Sequence, residues 1–120
     1  MDDGMLDKAK EVGRLLGQTA EYKELQRARQ RLNEDRETVE LVNRLAELER
    51  DLTVMLQQGE TPDEESRRAY EDTFSRLQEG PRYQALVAAQ SNFDRVLQQV
   101  NERIGAGMEA GSKSSIILSS

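Results

Sequence analysis

The chain predicts an all-α fold, an antiparallel helical bundle of about four to five helices with long amphipathic members and a flexible C-terminal tail. Three observations carry this expectation. Nearly half of the 120 residues are Ala, Glu, Lys, Leu or Arg, the composition of long helices. Apolar residues recur at alternating steps of three and four, which puts them on one face of a helix. Thr, Asp, Pro and Gly, the residues that start and stop helices, fall between those periodic runs.

The elements follow in order. Met5, Ala9, Val12 and Leu16 make one apolar stripe over residues 4–18. Thr19 is suited to cap a second helix, in which Tyr22, Leu25, Ala28 and Leu32 share a face. Whether these two helices are continuous stays open from the pattern. From Asp35, a further candidate N-cap, Leu41, Leu45, Leu48, Leu52 and Met55 recur with Val42 and Leu56 widening the stripe, the strongest periodicity in the chain. Residues 57–60 supply a stop, and Thr61, Pro62, Asp63 and Glu64 predict a new start with Thr61 as cap and Pro62 at the first helical position. That helix carries Tyr70, Phe74 and Leu77 and ends at Gly80, where Pro81 opens the last one. The last helix runs to about Ile104, with Tyr83, Leu86, Gln90, Phe93, Leu97, Val100 and Ile104 on one seam broken only by Gln90.

Tyr22, Leu25, Ala28 and Leu32 reappear as Tyr83, Leu86, Ala89 and Phe93 at a constant offset of 61. A pseudo-symmetric helix arrangement is one reading. The other is coincidence, since any two amphipathic helices agree at some register. Residues 1–104 are expected to form the helical domain, and residues 105–120 a tail. Gly105, Gly107, Gly111 and the serines at 112, 114 and 115 read as a flexible linker. Ile116, Ile117 and Leu118 then offer an apolar end that can dock on a partner or simply fray.

Composition excludes several functions. With no Cys and no His, thiolate and imidazole metal sites, Cys or His nucleophiles and disulfides are absent. No cofactor is expected. Net charge −6 opposes binding to phosphate backbones, so autonomous nucleic-acid binding is not expected. No stretch approaches the ~20 apolar residues that cross a bilayer, and a cytoplasmic location with no membrane contact is the expectation. Asp63 with Arg67, Glu64 with Arg68 and Asp72 with Arg76 read as helix-supporting pairs four residues apart rather than as a metal site.

Two features point to partners. Lys23, Arg27 and Arg31 stand on one helical ridge and form a candidate partner-binding patch, although Glu21, Glu24, Glu34 and Asp35 dilute it toward an ordinary solvated face. The apolar seams need burial, because each Leu or Phe contributes roughly 1.5–3 kcal/mol when it leaves water. A chain this short has a modest core, so homo-oligomerisation is expected. The candidate oligomer seams are Leu41, Leu45, Leu48, Leu52 and Met55, and Leu86, Gln90, Phe93, Leu97, Val100 and Ile104. Gln90 either finds a partner across such an interface or sits at its solvent edge.

Four stretches carry a family resemblance: residues 5–13; Glu21, Tyr22, Lys23, Glu24 and Leu25 followed by Ala28; Leu32 to Glu37 followed by Leu41, Val42 and Leu48; and Gly80, Pro81, Arg82 and Tyr83 through Val100 to Ile104. In this order they resemble the YlbF/YmcA family of small helical bacterial regulators, with Asp35 and Arg36 where the family commonly has Asp-Pro. The resemblance implies a non-enzymatic, self-associating regulatory adaptor. In Bacillus-type bacteria such proteins work with other regulatory proteins and modulate RNase Y in mRNA processing, competence and biofilm formation. Those complexes are associated with iron–sulfur clusters, and cluster binding does not carry over to a chain without cysteine. The alternative function is a structural or chaperone-like helical oligomer assembled through its tail.

Overall fold

The structure, a computed structural model, describes the backbone of residues 3–119 and the side chains of residues 3–113. Five helices account for most of it: α1 (Asp3–Gly17), α2 (Ala20–Glu34), α3 (Arg36–Gln57), α4 (Glu64–Glu79) and α5 (Pro81–Ser119). No strand occurs among the described residues, and the all-α expectation holds.

Local chemistry sets the breaks. Thr19 separates α1 from α2: its hydroxyl donates to the Leu16 carbonyl at 2.7 Å and accepts the Tyr22 amide at 3.1 Å. Asp35 caps α3, but its carboxylate accepts the Thr38 hydroxyl rather than a backbone amide. Thr38 is buried, and this bond is what makes its burial tolerable. α3 ends in a Schellman turn, with the Glu60 amide on the Met55 carbonyl and the Gly59 amide on the Leu56 carbonyl; Gly59 takes φ +76°, a conformation that costs a side chain. The next start is at Asp63 and not at Thr61 as expected. The Asp63 carboxylate accepts the Ser66 amide at 2.7 Å, and Glu64 and Glu65 then fill the first turn, where acids suit the helix dipole.

Single residues, Asp35 and Gly80, separate α2 from α3 and α4 from α5, so the chain makes two long arms joined by the 58–63 loop. Tyr22 meets Phe93 while Arg29 meets Gln90, so α2 and α5 run antiparallel; α3 and α4 close the other end of the pair. Rather than enclosing one common core, the helices pair two at a time along a rod of 66 × 38 × 22 Å. The 22 Å dimension is about two helix diameters. The radius of gyration is 21.5 Å, against about 14 Å for a compact domain of this length.

The principal core joins α2 to α5. Leu25, Ala28, Ala89 and Phe93 are buried, and Leu16, Tyr22, Leu86 and Leu97 pack around them. The two alanines let the backbones approach. Tyr22 and Phe93 then stack edge to face, with centroids 5.2 Å apart. At the α3–α4 end Leu48 and Leu77 are buried, and the Tyr70 hydroxyl donates to Glu49 across the hairpin at 3.1 Å.

The helix starts obey the offset seen in the sequence. α1 begins at residue 3 and α4 at 64, α2 at 20 and α5 at 81, and the caps Thr19 and Gly80 correspond. The repeated segments pack against each other as the pseudo-symmetric reading requires.

The stretch from Gly105, expected to be a linker, is instead a continuation of α5. Its glycines, each costing about 1 kcal/mol relative to Ala, are interspersed with strong helix formers at Ala106, Met108, Glu109 and Ala110. The Glu109–Lys113 pair at 3.1 Å, four residues apart, adds a small gain. None of residues 101–113 is buried, so this segment is helix without a packing partner.

Removing the Phe93 ring opens a cavity in a core only one side chain deep, and Phe93→Ala is expected to cost about 3–5 kcal/mol in urea unfolding followed at 222 nm. Gly59→Ala is expected to lower the same midpoint by about 1 kcal/mol, the cost of a Cβ at positive φ, although open space surrounds the position.

Candidate protein-docking surfaces

The described side chains contain no catalytic constellation. No group of three or more acidic residues is arranged to hold a metal ion, and no buried side-chain polar atom lacks a partner. The concavities are open grooves on the rod's flanks rather than enclosed chambers. What the surface offers is a set of exposed helix faces.

The basic ridge lies on α2 with Lys23, Arg27 and Arg31 all exposed. Arg27 reaches back to Glu24 at 2.8 Å, and this bond, reinforced by the Arg27 and Arg31 charges, holds the Glu24 carboxyl below its ordinary range. The side chains of Lys23 and Arg31 make no hydrogen bond or salt bridge among the described residues. The ridge is therefore partly neutralised at its centre and open at both ends.

The expected oligomer seams are largely used within one chain. On α3, Leu48 is buried and Leu41, Leu45, Leu52 and Met55 are half-buried, on the helix that packs along α4. On α5, Phe93 is buried while Leu86 and Leu97 pack on the same core. Gln90 finds its partners inside the chain: its Oε1 accepts from Arg29 at 3.4 Å and its Nε2 donates to Asp94 at 3.0 Å. Spacing alone does not distinguish a seam that closes in cis from one that closes in trans. Only the far end remains open, with Val100 half-buried and Ile104 exposed. Ile116, Ile117 and Leu118 lie on the backbone of α5, but their side chains fall outside the described residues.

The sequence reading named Val100 and Ile104 at that end but not the exposed α1 side of the surface. α1 has no buried residue, and Met5, Leu6, Val12 and Leu15 are exposed along it. Val12 lines a groove with Val96, Val100 and Ile104 of α5, and Met108 is exposed further along α5. The available signal was the width of the α1 stripe, since Leu6 and Leu15 add apolar area beyond the Met5–Leu16 face that one neighbouring helix can cover.

Of the three expected acid–base pairs on α4 only Glu64–Arg68 closes, at 3.1 Å. Asp63 serves as a cap instead. The Ser66 side chain first, and then the Ser66 amide, hold its carboxyl below the ordinary 3.8.

An elongated rod built of five helices, with exposed apolar and basic faces, places the chain in the class of all-α proteins. The model of the family described as control of competence regulator ComK, YlbF/YmcA, matches residues 5–109, and the chain belongs to that family. The family description assigns a regulatory role. No curated protein and no solved structure matched the chain in the corresponding comparisons. No helix among the described residues is long and apolar enough to cross a membrane.

The lowered carboxyls of Glu11, Glu24 and Asp63 stabilise the fold above their ordinary values of 4.5, 4.5 and 3.8, and that contribution disappears as pH falls through their lower folded values. The thermal midpoint is expected to fall on acidification below pH 4.5. Asp63→Ala is expected to remove the share of that fall that lies below pH 3.8, as read by circular dichroism melts.

Proposed function

We propose that this chain is a cytoplasmic, non-enzymatic regulatory adaptor that self-associates and binds other proteins, acting in the context of RNase Y-type mRNA processing. The observation that carries this reading is the family match over residues 5–109, nearly the whole helical rod. The shape supports it. A rod two helices thick has a high ratio of surface to core, so it presents long faces while enclosing no substrate. The Lys23, Arg27 and Arg31 ridge supplies a charged contact for an acidic protein surface, and the chain's overall negative charge argues against direct contact with RNA. Iron–sulfur chemistry has no part in this proposal, since the chain has no cysteine to supply cluster thiolates.

Affinity isolation of the full chain from its native cells, at low and high salt, tests the reading. Components of the nuclease machinery are expected in the low-salt eluate. Reversing the charges with Lys23→Glu, Arg27→Glu and Arg31→Glu together is expected to reduce their recovery and remove the salt dependence, because exposed charge pairs are screened over about 8–10 Å at physiological ionic strength. Recovery of varied unfolded clients in place of nuclease components would replace the adaptor with the chaperone-like alternative.

A further inference from the structure

We propose that the groove between the second half of α3 and the start of α4 docks a basic amphipathic helix of another protein. The aliphatic side chains of that helix seat on Leu48, Val54 and Met55, and its lysines or arginines are set against Asp51 and Glu60. The surface is separate from the Lys23, Arg27 and Arg31 ridge on α2 and takes a partner of the opposite charge, so it goes beyond the reading above.

Helical spacing builds the groove. Leu48, Asp51, Val54, Met55 and Gln58 stand three and four residues apart on one side of α3, Glu60 belongs to the turn that follows, and Ser66 lines the opposite wall from α4. The volume is about 340 Å³, room for side chains rather than for a whole domain. Leu48 is buried, Met55 half-buried and Val54 48% exposed, so apolar surface runs without a break from the hairpin core out to solvent. A single exposed valine is ordinary. One that continues a buried leucine along a groove is what an incoming aliphatic side chain can cover. Both walls are fixed in advance, since the Glu60 amide is tied to the Met55 carbonyl at 2.9 Å and Asp63 caps α4 through the Ser66 amide. Little ordering is then left to be done on binding.

Charge selects the occupant. Residues 36–79 hold 12 acidic and 6 basic residues and the remainder of the chain 11 of each, so the whole net charge of −6 resides on the α3–α4 hairpin. From Asp51 to Ser66 there are five acids and no Lys or Arg. Asp63 is committed to its cap and Glu64 to Arg68. The exposed side chains of Asp51, Glu60 and Glu65 make no hydrogen bond or salt bridge among the described residues. An apolar groove bordered by such carboxylates is complementary to a helix that carries apolar and positive groups on adjoining faces.

This chain does not itself offer that combination. On α2 the basic ridge is exposed while Leu25, Ala28 and Leu32 are buried beneath it. On α1 the apolar residues are exposed, but Asp3, Asp7 and Glu11 balance Lys8, Lys10 and Arg14. A different protein therefore supplies the helix.

Fluorescence anisotropy of a labelled Leu/Lys peptide, about 18 residues and five turns long with leucine on one face, tests this against the full chain. Micromolar binding is expected, with a scrambled peptide of the same composition about tenfold weaker because its leucines no longer share a face. Val54→Asn is expected to weaken binding about tenfold with the salt dependence unchanged. Asp51→Asn with Glu60→Gln is expected to weaken it about tenfold and to reduce the salt dependence. All these positions are exposed, and unchanged far-ultraviolet circular dichroism is expected. Glu102→Gln with Glu109→Gln, which removes the same charge from α5, is expected to bind as the wild-type chain does. Failure of the wild-type chain to bind, equal binding of the scrambled peptide, or groove variants that behave like the α5 variant each overturn the assignment. A Val54→Asn chain whose own sedimentation shifts in the absence of peptide gives the groove to a second copy and overturns it as well.

Discussion

The close approach of α2 and α5 through Ala28 and Ala89 is the contact on which the rest of the molecule depends. Small residues bring two backbones together, and the Tyr22 and Phe93 rings then fill the space at one side of the crossing. Because the rod is two helices thick, no second layer backs this contact. A chain whose core is one side chain deep cannot redistribute a lost contact through surrounding packing, so its stability is concentrated in few residues. The two single-residue breaks, at Asp35 and Gly80, extend the pairing into the α3–α4 end without adding a new core. At Gly80 space is tight, since a Cβ would lie 3.3 Å from the Leu77 carbonyl oxygen.

This construction agrees with the regulatory role that the family description assigns. A reactive centre requires groups held in a sheltered pocket with shifted proton affinities. The shifted groups on this rod are exposed partners in caps and neighbouring ion pairs, and each shift is accounted for by the local helix chemistry. Tyr70 is displaced upward by its bond to Glu49, a link that ties the α3–α4 hairpin rather than a catalytic device. What the rod has in abundance is accessible helix face, and proteins recognise one another through such faces.

The breaks and faces of the helices were legible in the sequence wherever the signal was local. Thr19, the 57–60 stop and the Gly80–Pro81 junction fall where capping chemistry places them. The start of α4 was displaced because Thr61 and Asp63 are both competent caps; the carboxylate with Ser66 three residues on supplies the better bond. The linker reading of residues 105–115 weighed the glycines and serines, while the alanines, Met108 and the Glu109–Lys113 pair favour helix. The basic ridge was legible as a pattern, but its internal neutralisation by Glu24 depends on rotamers.

The sequence by itself determined that this protein is helical, where its helices begin to within a few residues and where all but the last end, that it lacks the side chains for thiolate and imidazole chemistry, and which family it resembles. These are properties of single residues and of spacings within one turn or two. The tertiary structure decided which apolar stripe meets which. It closed the α3 seam on α4 and most of the α5 seam on α2, and it left α1 uncovered. Periodicity fixes the direction in which a helix presents its apolar side chains, but hydrophobic attraction has no direction of its own. Which partner answers it is settled by the path of the chain between helices, and here by an interruption at Asp35 that α5 does not share.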